Sequence, residues 1–176
     1  MVTLKGKKVY LRALEPNDLD FIFNIENDES IWELSHAQTP YSKFLIKEYL
    51  TNAHKDIYEA KQFRFVISDY AENALGLIDL FDFDFKNKRV GIGILITNPK
   101  DRNIGIGTET LDLVINYVFS NFDMQQVYAN VLESNSISLK LFESKGFTIV
   151  GLKKNWNYCI KSSTFQNEYL LQLQNK

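Results

Sequence analysis

The chain has 176 residues, 45% apolar and 24% charged, with a formal net charge of −2. This balance suits a folded domain with a sizeable core and excludes a disordered chain. So small a charge speaks against a nucleic-acid partner held by phosphate neutralisation, and no apolar run in the sequence approaches the roughly twenty residues of a membrane span.

Cys159 is the sole cysteine, which rules out an internal disulfide and a thiolate metal cluster. The opening "MVTLKGKKVYLRAL" lacks the apolar core of a signal peptide, so a cytoplasmic protein with no metal is expected. No repeat or linker interrupts the chain, and one domain over 1–176 is the simplest organisation.

In chain order, "KVYLRAL" (8–14) alternates as a strand does. Pro16 suits the first turn of a helix, and Leu19, Ile22, Phe23 and Glu26 then share one helical face. A second helix (42–55) starts on the capping residue Ser42 and carries Leu45, Ile46, Tyr49, Leu50 and Ala53 at helical spacing. Three β-branched and aromatic segments follow, at 62–70, 74–85 and 89–97, with a hairpin turn at 86–88, and predict an antiparallel meander. Leu111, Val114, Ile115, Val118, Phe119 and Phe122 recur with the helical period. A strand (126–132) comes next, then a helix between Asn135 and Gly146, and strands at 148–154 and 165–173. The order β–α–α–β–β–β–α–β–α–β–β predicts an α/β (α+β) fold, a mixed central sheet with an antiparallel meander and helices on both faces.

One junction carries chemistry. In "ILITNPKDRNIGIGTETL" a strand runs through a loop into a helix whose first amides lack partners. Those amides and the helix dipole favour an anion. Gly105 and Gly107 let the backbone approach a ligand closely, and Arg102 can pair with phosphate oxygens. The junction reads either as a pyrophosphate cradle or as a tight loop that starts a helix. A P-loop string is absent, and a dinucleotide fingerprint fails because Thr110 stands where the third glycine belongs.

"RNIGIG" has the form [Q/R]-x-x-G-x-[G/A]. "RVGIGILI" precedes it, "NSISLKLFESKGF" follows it, and "VYLRALEPNDLDFIF" opens the chain. Together these resemble the GNAT superfamily of acetyl-CoA-dependent N-acyltransferases, in the branch that includes spermidine acetyltransferases and enzymes acetylating ribosomal-protein amino termini. The resemblance implies a GNAT-like sheet with acetyl-CoA (coenzyme A) as co-substrate. The backbone amides of Arg102, Asn103, Ile104, Gly105, Ile106, Gly107 and Thr108 would grip the pyrophosphate. The backbones of Leu95, Ile96 and Thr97 would pair with the pantetheine arm, and an N–H near Ile92 or Ile94 would meet the acetyl oxygen. Asn135 would contact the pantetheine, although it reads equally well as a helix cap, and Ser138 falls at the family's small position.

Two positions depart from the family pattern. Phe142 stands where many members carry a Tyr that protonates the leaving thiolate; Tyr128, Tyr158 and Tyr169 are candidate replacements. Gly91 stands where many carry a Glu that helps remove the amine proton. The candidate bases are then Asp79 on the meander and Glu33 and His36 in the loop after the first helix. Trp32, Tyr41, Phe81 and Phe83 would line an acceptor pocket, and Glu26, Asp28, Glu29 and Glu33 read either as a charged helix end, the plainer reading, or as acids that attract a polyamine. Cys159 has no His near it in sequence, so direct transfer to a primary amine in a ternary complex is expected, on a small molecule or a protein amino terminus. A catalytically weak acyl-CoA sensor is the alternative. Dimers are common in the family, so a homodimer is also implied.

Overall fold

The computed structural model describes residues 3–32, 39–52 and 62–175. The chain divides into two compact units, one of Met1–Arg12 with Lys61–Lys176 and one of Ala13–Ala60.

The larger unit is built on a seven-stranded mixed sheet in the order β1-β2-β3-β4-β5-β7-β6. Its strands are β1 (Val9–Arg12), β2 (Gln62–Asp69), β3 (Ala74–Asp84), β4 (Arg89–Ile96), β5 (Gln126–Leu132), β6 (Thr148–Cys159) and β7 (Thr164–Gln174). The meander β2–β3–β4 is antiparallel, as its closely spaced β-branched segments predict. The 16-residue helix α3 (Ile106–Asn121) and the helix α4 (Ser136–Ser144) complete the unit. Leu111, Val114 and Val118 of α3 are buried along with Val90, Ile92, Val127 and Leu171 of the sheet. Phe65 of β2 meets Tyr117 of α3 edge to face at 5.8 Å, which marks this as the apolar face of the sheet.

The opposite face is polar. It carries Arg64, Asp79, Tyr128, Asn130, Lys153 and Glu168, each on the alternate register of its strand. Glu168 is buried, accepting from Lys153 Nζ at 2.8 Å and Asn157 Nδ2 at 3.0 Å.

Strand β3 changes face part-way. Its register with β4 shifts between Phe81 and Asp84, and Asp82 takes φ 51°. The alternating pattern predicts that Phe81 and Phe83 share a face. The bulge inserts one residue instead, so Phe81 lies on the polar face while Phe83 is buried against Phe122 at 5.5 Å. Phe83 is a core residue and does not line a pocket.

The smaller unit holds a short 3-10 turn at Pro16–Asp18, helix α1 (Leu19–Glu26) and helix α2 (Lys43–Thr51). Ser42 caps α2 as expected, its side chain accepting from Leu45 N at 3.1 Å. Lys43 of α2 pairs with Asp20 of α1 at 2.6 Å. Among the described residues no helix is long and apolar enough to cross a membrane.

Candidate active site

Strand β4 is paired on both edges only at its start. It runs parallel to β5 for three positions, ending at Gly91↔Tyr128, while its pairing with β3 continues to Ile96. Beyond Gly91 the two strands splay apart. Thr97 N donates to Leu75 O at 3.0 Å, which sets the phase of the ladder. Residues 91, 93 and 95 turn their N–H and C=O groups toward β3, and 92, 94 and 96 turn theirs toward the opening. Ile94 therefore offers its backbone, and Ile96 its N–H, to a ligand in the splay. Of Leu95, Ile96 and Thr97, expected to do so together, only Ile96 fits; Leu95 and the Thr97 N–H are committed to β3.

The loop at the end of β4 closes on itself. Arg102 reaches back with Nη2 to Ile96 O at 2.9 Å, so its guanidinium braces the end of the strand. Asn103 (φ 61°) and Gly105 (φ 90°) are both left-handed, and Gly105 is the N-cap of α3. This curl directs the unpaired first amides of α3 outward. Ile104 is exposed and Ile106 buried, so the turn is anchored by one side chain. Gly107 sits beneath the splay: a Cβ there would lie 3.1 Å from Leu141 of α4 and 3.9 Å from Ile94 of β4. The cradle is thus one that a side chain would fill, and it fits a pyrophosphate with an attached extended arm.

Lys8, just before β1, was not expected at this site. Its Nζ donates to Ile104 O at 2.5 Å and stands 3.1 Å from where a Cβ on Gly105 would be. Glu109 in the first turn of α3 accepts from Lys8 N at 2.9 Å and from Lys7 N. A cation thus lies against the anion cradle. The basic run "KGKK" is the only sequence sign of it.

Asn135 caps α4, its Oδ1 accepting from Ser138 N at 3.1 Å, which leaves its amide nitrogen for a ligand. Phe142 is buried and packs edge to face on Phe147 at 5.0 Å. It is a core residue with no proton to give.

The candidate bases separate. Asp79 is clasped by Arg64, Nε to Oδ1 at 2.6 Å and Nη2 to Oδ2 at 3.0 Å, so both its oxygens are engaged. Glu33 and His36 lie outside the described residues. In the smaller unit, Trp32 Nε1 donates to Glu26 O at 2.9 Å, and Tyr41 N donates to Asn27 Oδ1 at 2.9 Å.

Of the three tyrosines, Tyr158 is exposed on β6. Tyr169 donates to Glu133 at 2.8 Å, a hydrogen bond that raises its pKa above the usual phenol range. Tyr128 stands where β4 and β5 part, and its Oη donates to Asp82 Oδ2 at 3.2 Å. Burial, then the charge and hydrogen bond of Asp82, push its pKa up to about 12.

Comparison with known proteins places the chain in a family. A family model described as an acetyltransferase (GNAT) domain matches residues 8–148. The chain belongs to the GNAT acetyltransferase family. A spermidine N(1)-acetyltransferase of Vibrio cholerae is 30% identical over 146 residues, 83% of this chain and 82% of that one. The spermidine N(1)-acetyltransferase of Escherichia coli K12 is 25% identical over 171 residues, 93% and 89% of the two chains. Among solved structures, the V. cholerae spermidine N-acetyltransferase in complex with CoA and spermine superposes with a TM-score of 0.83 at 25% identity, covering 96% of each chain. This GNAT protein is an acetyl-CoA-dependent N-acetyltransferase with the fold of those enzymes. Acetyl-CoA supplies an activated acyl group as a thioester, and the splay, the glycine turn and the Asn135 cap are the residues that would hold it.

Proposed function

We propose that this enzyme acetylates a primary amine of a polyamine by direct attack in a ternary complex. The observation that carries the reading is the opening beyond Gly91↔Tyr128, where the backbone of Ile94 and the N–H of Ile96 face the gap above the glycine turn, the Ile96 carbonyl being held by Arg102. An extended amide-bearing arm can add there as an extra strand, which aims a thioester at the point where the strands diverge. Direct attack is supported by Cys159, which is buried and so poorly placed to carry an acyl group. The polyamine class is supported by the relatives in V. cholerae and E. coli, whose names specify spermidine.

The test is thiol release from acetyl-CoA over a panel of spermidine, spermine, amino sugars, amino acids and peptides with free amino termini. Release with polyamines above all others is expected. Uptake of coenzyme A with no release on any amine would overturn the reading in favour of a sensor. Acetylated Cys159 in a mass spectrum would overturn direct transfer.

The same reading extends to assembly. The V. cholerae enzyme has been solved as a dodecamer, and here the apolar side chains of Val150, Trp156, Ile160 and Phe165 are each exposed along the β6–β7 hairpin. Homo-oligomers of this chain, dimers or larger, are the inferred occupants. A monomer mass by light scattering at micromolar concentration would contradict this.

A further inference from the structure

The acceptor of an acetyltransferase arrives as an ammonium ion, which has no lone pair, so a proton must leave before attack. The family resemblance implies a Glu for this at position 91, and Gly91 leaves no room for one here. The Phe81 ring occupies that space, with Cε2 2.2 Å from where a Cβ on Gly91 would stand. The same ring packs edge to face on Tyr128 at 5.9 Å. Alternation from Asp79 sets Phe81 on this face, and the bulge that follows it turns Asp82 toward Tyr128 Oη. A carboxylate therefore returns to the head of the splay from the neighbouring strand, with a phenol between it and the opening.

We propose that Tyr128 is a catalytic residue that takes the acceptor's proton, with Asp82 acting through it. This rests on the proposed direct transfer to a polyamine amine and adds the route of the proton. Tyr128 Oη accepts a hydrogen bond from the bound R–NH3+. As that proton moves to Oη, the phenolic proton moves to the Asp82 carboxylate. Three neutral groups result: R–NH2, the phenol and the acid. The nitrogen lone pair then forms the C–N bond, the C–S bond breaks, and the thiolate leaves with the electron pair. The second nitrogen proton goes to the thiolate, and Asp82, whose side chain is exposed, returns its proton to solvent. The sum is R–NH3+ plus acetyl thioester giving amide, thiol and H+.

The surroundings suit this role. Tyr128 feels Asp82 and Asp84 from β3 and Arg89 from β4, and on β7 it faces the uncharged Gln172. Arg89 is itself paired with Asp84 at 3.0 Å. The phenol stays protonated throughout the working range and so passes a proton on without ionising. It is also a poor acid for a thiolate, whose conjugate thiol titrates near 8.5. Tyr128 therefore serves the amine and does not replace the hydroxyl missing at Phe142.

The test is the pH profile of kcat/KM for wild type, Tyr128→Phe and Asp82→Asn with spermidine, together with coenzyme A affinity by calorimetry. Both variants are expected to bind coenzyme A as wild type does and to lose about 10²–10⁴-fold in kcat/KM at pH 7. The deficit should shrink by roughly tenfold per pH unit toward the amine's own pKa, because free amine then needs no base. A fast pH jump monitored by phenol absorbance should place the highest tyrosine step lower in Asp82→Asn and remove it in Tyr128→Phe. A deficit independent of pH, or full activity in Tyr128→Phe at pH 7, would overturn the proposal. Absence of acetyl transfer to spermidine by wild type itself would instead overturn the polyamine reading.

Discussion

The ring of Phe81 occupies the volume that a side chain at Gly91 would need, so that a Cβ there would approach Phe81 Cζ to 2.5 Å. Two adjacent strands are fitted to each other at this point, and a substitution on either is felt on both. Gly91→Ala should destabilise the fold by about 1–3 kcal/mol through overpacking. Phe81→Ala in the same chain should recover much of that, so the two changes should be strongly non-additive in denaturant titrations.

Gly107 lies under the splay with Leu141 and Ile94 as its neighbours. Gly107→Trp should reduce coenzyme A affinity by more than about 100-fold, or over 2.7 kcal/mol, while far-UV circular dichroism remains that of the folded chain. Undiminished affinity would place the diphosphate elsewhere.

Lys8 holds its ammonium on the Ile104 carbonyl beside the left-handed Gly105. Lys8→Ala should weaken coenzyme A binding by about tenfold, the scale of one charge-assisted hydrogen bond. The loss should narrow as salt is raised. Calorimetry at two ionic strengths measures both effects.

Stability at high pH should report on Tyr128. An exposed phenol titrates near 10, and in the folded chain burial and Asp82 raise this one to about 12. The unfolded chain therefore releases its proton first. Stability from this group holds below pH 10 and is lost as the pH climbs toward 12. Tyr128→Phe should make the decline between those values shallower, measured as denaturation midpoints at pH 9, 10, 11 and 12. Tyr169 shifts in the same direction, so Tyr169→Phe should add to the effect.

Much of the fold and the glycine turn was legible in the sequence because their causes are local. Gly105 and Gly107, the Asn135 cap and the helical period after Ile106 act within a few residues of themselves. Strand β6 shows where local cues stop. Alternation in "TIVGLKK" ends at 154, yet the strand continues to Cys159 past a bulge at Asn155, whose N–H donates to Asn167 Oδ1 at 2.9 Å on β7. Asp79 looked available as a base because its partner Arg64 comes from another strand. The place of Asp82 beside Tyr128, and of Phe83 in the core, depends on a one-residue slip in β3 after Phe81, and nothing in "LIDLFDFDF" announces where an alternating run will slip.

The clasp of Glu109 on the amide of Lys8 joins residues 101 positions apart. A nascent chain that has emerged only to the middle of β4 already displays Lys8 but has nothing to fasten it. The anion cradle is then a late product of synthesis, and its closure is a contact between residues far apart in the chain.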